Sequence, residues 1–384
     1  MKNIPEIRIK GFEGEWKEKQ LGEALEIGNG TDYKHLGEGN IPVYGTGGII
    51  KYVDDYLYDG ETVCIGRKGT IDSPIYHVGK IWTVDTLFYT YDFKDCNVKF
   101  LYYLFCTINW KEHNEATGVP SLSKENIKRI VARFPNLAEQ QSLGSFFSSF
   151  DRLLSDHRRR LENLRRVKKS MLQKMFPQQG QTVPEIRFKG FSGEWEKAKL
   201  STFLEVSEEK NSDNFYGIED VLSVSGDYGV VNQIEFQGRS FAGASVAGYG
   251  VAETGDVIYT KSPLKSNPYG IIKTNKGKPG IVSVLYGVYH PIKGRTESSF
   301  VQTYFESDAR LNNYLRVLIN KGSKNTLLIS DEDALRGEVC FPSYEEQQRL
   351  SSFLTSLDNL INDEVNYIDQ LTRVKSTLLQ KMFV

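Results

Sequence analysis

The sequence is poor in the residues that build metal sites and disulfide frameworks. Its 384 residues include only four cysteines, Cys64, Cys96, Cys106 and Cys340, and none forms a C-x-x-C pair. The five histidines do not gather around them. A zinc site or disulfide set is therefore not expected, and a reducing cytoplasm fits this usage. No apolar run approaches the ~18–20 residues of a membrane helix, so no membrane partner is expected. The opening Met-Lys-Asn-Ile-Pro-Glu has no apolar signal region, so secretion is not expected. A surplus of one charge is missing too: 48 Lys+Arg face 49 Asp+Glu, a formal net charge of −1. Any binding to nucleic acid must then rest on local patches and not on bulk charge.

Catalytic signals are equally sparse. There is no G-x-x-x-x-G-K-[ST] run, which excludes a P-loop ATPase. Without that loop, Asp331-Glu332-Asp333 reads as the first turn of a helix. Gly45-Thr46-Gly47-Gly48 is too short a glycine signal for a dinucleotide fold. Asn267-Pro268-Tyr269 lacks one proline of the Asn-Pro-Pro-Tyr loop of amino-methyltransferases and reads as a turn. His77, His113 and His290 have no Ser or Cys partner at motif spacing. No catalytic residue and no metal ligand is assigned.

What the chain does have is a globular composition and two ordered repeats. A hydrophobic content of 39%, with 21 Tyr and 21 Phe, excludes a disordered chain, and the length suggests two or three domains. Pro5–Leu21 (PEIRIKGFEGEWKEKQL) returns as Pro184–Leu200 (PEIRFKGFSGEWEKAKL), with 11 of 17 positions identical. Phe134–Phe176 returns as Phe341–Phe383, with 21 of 43 identical. Both are written in the order short motif, variable segment, long conserved segment. Simple duplication explains the copies but not why the middles diverged while the flanks stayed alike.

Each long segment carries a heptad seam. Leu143, Phe150, Leu164 and Met171 lie on one seven-residue register, and Phe147, Leu154, Leu161 and Met175 on another. The second copy keeps the frame through Leu350, Leu357, Leu371 and Leu378, and through Leu354, Ile361, Ile368 and Met382. A seam sustained over four heptads predicts a coiled coil, with Pro135 and Pro342 just ahead of the helices. Helices of about 38 residues run roughly 57 Å. The seam breaks at His157/Glu364 and at Lys168/Lys375. In an antiparallel pair, His157 and Glu364 fall at the crossing and are expected to meet there, unless a local shift turns both to solvent. Residues 139–176 carry nine basic and four acidic side chains, and residues 346–383 carry four and five, which suits facing helices. The basic surplus (Arg158, Arg159, Arg160, Arg165, Arg166, Lys168, Lys169) could equally face a polyanion.

The middles have a different texture. Thr62–Ile65, Trp82–Thr90, Asp256–Thr260 and Gly280–Val288 read as strands. Lys99–Asn109 and Ala309–Asn320 read as one helix in each domain. The fold class expected is therefore α/β (α+β): two globular mixed domains with largely antiparallel or barrel-like sheets, separated by two long helices in an antiparallel coiled coil, with an internal pseudo-twofold repeat. The expected boundaries are 1–134 and 178–341 for the globular domains with their flank motifs, and 135–177 and 342–384 for the helices.

Both middles are slightly acidic, yet residues 257–296 hold seven basic residues and no acidic one. Such cations can displace counterions from a phosphate backbone, and interleaved polar residues can bond phosphates or base edges. Lys261, Ser262, Lys265, Asn267, Lys273 and Arg295 are the candidate DNA contacts of the second domain, though charge runs often form only a solvated face. In the first domain, Gly66-Arg67-Lys68-Gly69-Thr70 allows close backbone approach to a ligand. Arg67, Lys68 and Thr70, with Tyr44 and Thr46, are its candidates. The turn Thr117–Ser123 could face the same ligand.

With its two PEIR[IF]KGF-x-GEW flanks, its two FP-x-x-x-EQQ…LLQKMF or MLQKMF helices and two unlike domains between them, the whole chain resembles the specificity subunit of type I restriction–modification enzymes, the HsdS family. The resemblance implies two target-recognition domains spaced by an antiparallel coiled coil. It implies a bipartite, asymmetric double-stranded DNA site, each half read by one domain. It implies two modification subunits that carry AdoMet, methylate adenine and dock on the conserved helices and domains; restriction subunits, two where present, would add translocation driven by ATP and Mg, and cleavage. This chain itself would be a non-catalytic reader without cofactor. Assembly contacts are expected along Gln140, Gln141, Phe150, Leu154, His157 and Leu161 and along Gln347, Gln348, Leu357, Ile361, Glu364 and Ile368, with the LQKMF tails. The competing reading is a coiled-coil scaffold whose variable domains bind protein or glycan. It predicts no salt-dependent affinity for DNA.

Overall fold

The computed structural model describes residues 3–243, 245–264, 266–321 and 327–383. The chain divides into two compact units, Met1–Arg160 with Glu364–Val384, and Leu161–Asp363. Both divisions fall inside the long helices, Leu137–Lys174 and Tyr344–Met382.

The first unit is built on a six-stranded sheet in the order Glu26–Asn29, Leu87–Tyr91, Tyr58–Gly66, Ile75–Thr83, Glu38–Gly45, Gly48–Val53. Every neighbouring pair is antiparallel except Glu38–Gly45 with Ile75–Thr83. Thr62–Gly66 is buried on both faces between two neighbours, which is why it reads as a continuous apolar run and not as an alternation. The helix Val98–Thr107 lays Phe100, Leu101 and Leu104 into the same core as Val63, Ile65 and Phe88, and Asn97 caps it by accepting from the Phe100 amide.

The second unit holds a four-stranded antiparallel sheet, Leu204–Val206, Tyr286–Pro291, Val257–Thr260, Ile271–Thr274. Two-stranded pairs accompany it, Leu222–Ser225 with Gly229–Asn232 and Gly250–Ala252 with Gly280–Val282.

Three local expectations need correction. Trp82–Thr90 is two strands, ending at Thr83 and resuming at Leu87 across a turn closed by the Leu87 amide on the Val84 carbonyl (2.9 Å). Gly280–Val288 breaks in the same way, at Val282 and Tyr286, with the Tyr286 amide on the Ser283 carbonyl (3.0 Å). The helix expected at Ala309–Asn320 runs Asp308–Arg316, and it is not alone: Ser298–Tyr304 precedes it across the Ser307 cap, and the short helices Gln233–Gln237 and Asp331–Ala334 flank the two in sequence. Ser298–Tyr304 is the counterpart of Val98–Thr107, because it carries Phe300 to the place that Phe100 fills in the first unit.

The repeated flanks and tails build one frame twice. In the first unit, the strand Lys17–Gln20 pairs with Val131–Phe134. Arg8 grips the buried Glu139 carboxylate with two bonds (2.8 and 2.7 Å), and the Ile7 amide meets the Lys381 carbonyl (2.9 Å). In the second unit, Glu196–Lys199 pairs with Glu338–Phe341, Arg187 grips Glu346 (2.7 Å twice), and Ile186 meets the Lys174 carbonyl (2.9 Å). At the centre of each frame a helix tail plugs the core. Phe383 lies against Trp16, Phe100 and Phe147. Phe176 lies against Trp195, Phe300 and Tyr304. Each plug is fully or almost fully buried. Burying such a ring stabilises by roughly 1.5–3 kcal/mol, with about 0.5–1.5 more for each well-oriented aromatic pair.

The long helices run antiparallel within each unit. In the first, His157 Nδ1 meets the Glu364 carboxylate at the seam, with Tyr367 against the imidazole, and Lys375 pairs with Asp151. In the second, Lys168 bonds Asp358 (2.5 Å) and Glu306 (2.5 Å). The second pair of seam breaks therefore consists of ion pairs. Burial pushes the Lys168 ammonium down, but the Glu306 and Asp358 carboxylates outweigh it and leave it above the ordinary lysine value. Lys168 is thus removed from the free basic surplus, whereas Arg158, Arg159, Arg160, Arg165, Arg166 and Lys169 stay exposed.

Truncating a plug should loosen one unit alone. Phe383→Ala is expected to destabilise the first unit by about 3–5 kcal/mol. Urea denaturation followed by tryptophan fluorescence checks this. Trp16, Trp82 and Trp110 report the first unit and Trp195 the second. Phe176→Ala should give the reverse pattern.

Candidate nucleic-acid interface

In the first unit the candidates converge at one end of the sheet. Tyr58–Gly66 leads into Arg67-Lys68, whose backbone amides both donate to the Thr86 carbonyl (2.8 and 3.3 Å). Val84 in that turn donates to the Tyr44 carbonyl (3.0 Å), which brings in the Thr46 hairpin tip. The Gly69 amide meets Pro120, and the Leu122 amide meets Arg67, so the 117–123 turn joins them. Arg67, Lys68, Asp85, Thr86, Ala116, Val119 and Ser121 line an open cleft of about 540 Å³. Arg67, Lys68 and Thr70 are exposed. Tyr44 and Thr46 are half-buried, and the Tyr44 hydroxyl is engaged with His77 Nδ1 at 3.3 Å. Two exposed cations beside hydroxyls and carbonyls can hold a phosphate backbone and present polar groups to base edges.

In the second unit the candidates are engaged within the fold to different degrees. Lys261 is tied to Asp331 (2.9 Å) and only 15% of its side chain is exposed. Lys273 is half-buried on its strand; burial pushes its ammonium below the ordinary value, and the Glu306 carboxylate only partly opposes this. Asn267 is buried and donates to Asp308 (2.9 Å), holding the loop rather than facing a ligand. Arg295 pairs with Glu196 (2.6 Å) over the Phe203 ring, and its carbonyl receives Gln347. All four thus have partners or packing within the fold, and of them only Arg295 is exposed. The acidic partners come from outside 257–296, so a run without acids in sequence is not one without acids in space. Ser262 is half-buried beside Lys261, and Lys265 lies outside the described residues.

The helix candidates separate by burial. Gln140 is buried; its amide donates to Asp95 (3.1 Å) and Pro135 (2.9 Å) and its oxygen accepts from Asn97 (2.9 Å). Gln347 repeats this with Arg295, Pro342 and Glu297, each at 3.0 Å. Both are clamps between a globular domain and its helix, not partner contacts. Leu154 and Leu357 are buried, and Phe150, Leu161, Ile361 and Ile368 half-buried, as seam residues. Gln141 and Gln348 are exposed.

A further feature was hidden in the repeat. Gln141, Ser145, Ser149, Leu153 and Asp156 are all exposed, and all are identical to Gln348, Ser352, Ser356, Leu360 and Asp363, also exposed. Steps of four, four, four and three residues keep them on one helix side, away from the seam. Exposed neighbours differ between the copies, as in Arg152/Asn359, Ser155/Asn362 and Arg159/Asn366. Leu153 and Leu360 are 38% and 46% exposed. Marking which identical positions recur every three or four residues would have found the stripe.

Burial pushes the Cys64 and Cys96 thiols up to about 12 and those of Cys106 and Cys340 to about 11, so none is a thiolate at neutral pH. Among the described residues, no group of three or more His, Cys, Asp or Glu is placed to hold a metal ion, and no helix is long and apolar enough to cross a membrane.

Residues 13–166 match the family described as the type I restriction modification DNA specificity domain. The type I restriction enzyme MjaVIII specificity subunit of Methanocaldococcus jannaschii is 22% identical over 84% of this chain and 76% of its own length. Over residues 13–166 the chain is thus similar to type I restriction specificity subunits. A putative type I specificity subunit of Haemophilus influenzae, S.HindORF215P, is 27% identical over 38% of this chain, and the match spans only 40% of that protein. The type I restriction–modification S subunit of M. genitalium superposes with a TM-score of 0.65, at 13% identity over 99% of both chains, a likeness of fold. The family match covers most of the first globular domain and of the first long helix; the second half is tied to it by the internal repeat, and the likeness of fold runs the full length.

Arg67→Ala and Lys68→Ala should each weaken binding to all DNA sequences about equally and lower the salt slope by about one. Lys261→Ala should leave the slope unchanged. Titrations across salt concentrations read the difference.

Proposed function

We propose that this chain is the DNA-reading subunit of a type I restriction–modification complex. It recognises a bipartite, asymmetric double-stranded site, one half by each unit, and directs adenine methylation by two modification subunits. The reaction is theirs: AdoMet is bound in those subunits, and ATP and Mg in restriction subunits where present, all in the cytoplasm. The observation that carries this reading is the double frame. Arg8–Glu139 and Arg187–Glu346, Gln140 and Gln347, and the two plugs rebuild the same support under globular domains that differ. A support repeated with unlike surfaces suits two unlike half-sites.

The exposed stripe supports the two-partner part of the reading. An exposed side chain that the fold does not use is free to drift, and neighbouring positions have drifted. Five positions that stay identical in both copies suit one partner surface bound twice. The scaffold alternative leaves unexplained why the Arg67-Lys68 cleft is exposed at the end of the sheet.

Adenine methylation mapped across plasmid DNA, in cells expressing this chain with its modification subunit, is the direct test. A bipartite motif that appears only with this chain is expected, and exchanging residues 201–340 should change one half alone. Absence of new methylation from a soluble, AdoMet-loaded complex would favour the scaffold. Leu153→Asp and Leu360→Asp should each remove one modification subunit from the complex, read as mass by light scattering, and together remove both.

A further inference from the structure

The two units share one backbone device whose side chains have opposite character. In the first, Gly66 pairs with Leu87, Arg67 donates to the Thr86 carbonyl, and the four-residue turn Val84–Leu87 is closed by its own hydrogen bond. In the second, Thr260 pairs with Tyr286, Lys261 donates to the Leu285 carbonyl (2.9 Å), and Ser283–Tyr286 is closed likewise. The central residues are Asp85 and Thr86 in one turn and Val284 and Leu285 in the other. Asp85 is exposed. Val284 is 71% exposed and Leu285 51%.

Turn centres favour Gly, Asn, Asp and Ser, and nothing in the fold asks for two apolar side chains there. Neither completes a core. A surface for the partner bound twice would keep its residues in both copies, as the helix stripe does. This turn keeps its hydrogen bonds and changes its chemistry, so what it touches differs between the halves. Under the function proposed above, on which this inference rests, the ligand that differs is the DNA half-site. In the major groove each base pair shows a distinct pattern, and thymine alone adds a methyl group. A carboxylate suits an exocyclic amino donor; an aliphatic pair suits that methyl.

We propose that Val284 and Leu285 form a base-reading contact of the second unit, packing on the C5 methyl of a thymine in its half-site. Ser262 and the Lys261 backbone stand beside them at the end of the sheet. Asp85 holds the equivalent place in the first unit, where it accepts from a cytosine or adenine amino group.

The test takes the complex of this chain with its modification subunits and duplexes carrying the site defined by methylation mapping. Each thymine is replaced singly by deoxyuridine, which removes only the methyl. Binding is read by fluorescence anisotropy. One position in the second half-site should lose about tenfold in affinity. With Val284→Ala/Leu285→Ala that position should become indifferent to the methyl, while the other base pairs are still discriminated. Both side chains are exposed, and the DNA-side substitution needs no variant at all. Sensitivity absent from that half-site, persisting in the variant, or precluded by a half-site of G·C pairs only would overturn the proposal. So would loss of a modification subunit from the variant with sequence preference intact, which would make the turn a protein contact. Absence of any sequence-dependent binding by the unmodified complex would instead sink the DNA-reading function itself.

Discussion

A phenylalanine at the end of a long helix closes each core. Phe383 completes the ring cluster of Trp16, Phe100 and Phe147, and Phe176 that of Trp195, Phe300 and Tyr304. Both repeated segments feed this junction. The flank motif supplies the tryptophan and the arginine, the helix start supplies the carboxylate and the glutamine clamp, and the helix end supplies the plug. A buried carboxylate such as Glu139 is tolerated because Arg8 meets it with a two-pronged fork; removing either partner would strand a charge in the interior.

The helix pairing follows the logic of a twofold interface made from one sequence. Asp151 and Asp358 are equivalent positions, as are Lys168 and Lys375, and each Asp meets the Lys of the opposite copy. One motif thereby satisfies itself twice. At the crossing the rule changes, because a residue there meets its own counterpart. His157 and Glu364 are such counterparts. Two glutamates at that place would repel, whereas a histidine and a glutamate bond. A polar pair at a seam position also fixes register, since any slip leaves both in apolar surroundings.

Much of this was legible in the sequence. The heptads gave the long helices, the offsets of the repeats gave the pseudo-symmetry, and the expected meeting of His157 with Glu364 needed only antiparallel geometry. Strand breaks at Val84–Leu87 and Ser283–Tyr286 were not legible, because Val-Asp-Thr and Ser-Val-Leu lack the glycine or proline that marks a turn. The partners of the lysine run were hidden for a different reason. Linear charge says nothing about Asp331, Glu196 or Glu306, which arrive from other elements to neutralise or crowd Lys261, Arg295 and Lys273. Gln140 and Gln347 looked like surface features by residue type, and only burial shows them bonded on every side.

The placement of Phe383 also orders events during synthesis. The second unit is contiguous, Leu161–Asp363, and can close once that stretch has left the ribosome. The first unit begins earlier yet must wait for residues 364–383 before its tryptophan–phenylalanine cluster is sealed. At ordinary elongation speeds that wait is on the order of ten to forty seconds. Throughout it, the nascent first domain shows an unplugged aromatic pocket to its surroundings, a natural substrate for a chaperone and a point of vulnerability to aggregation when translation stalls late in the message.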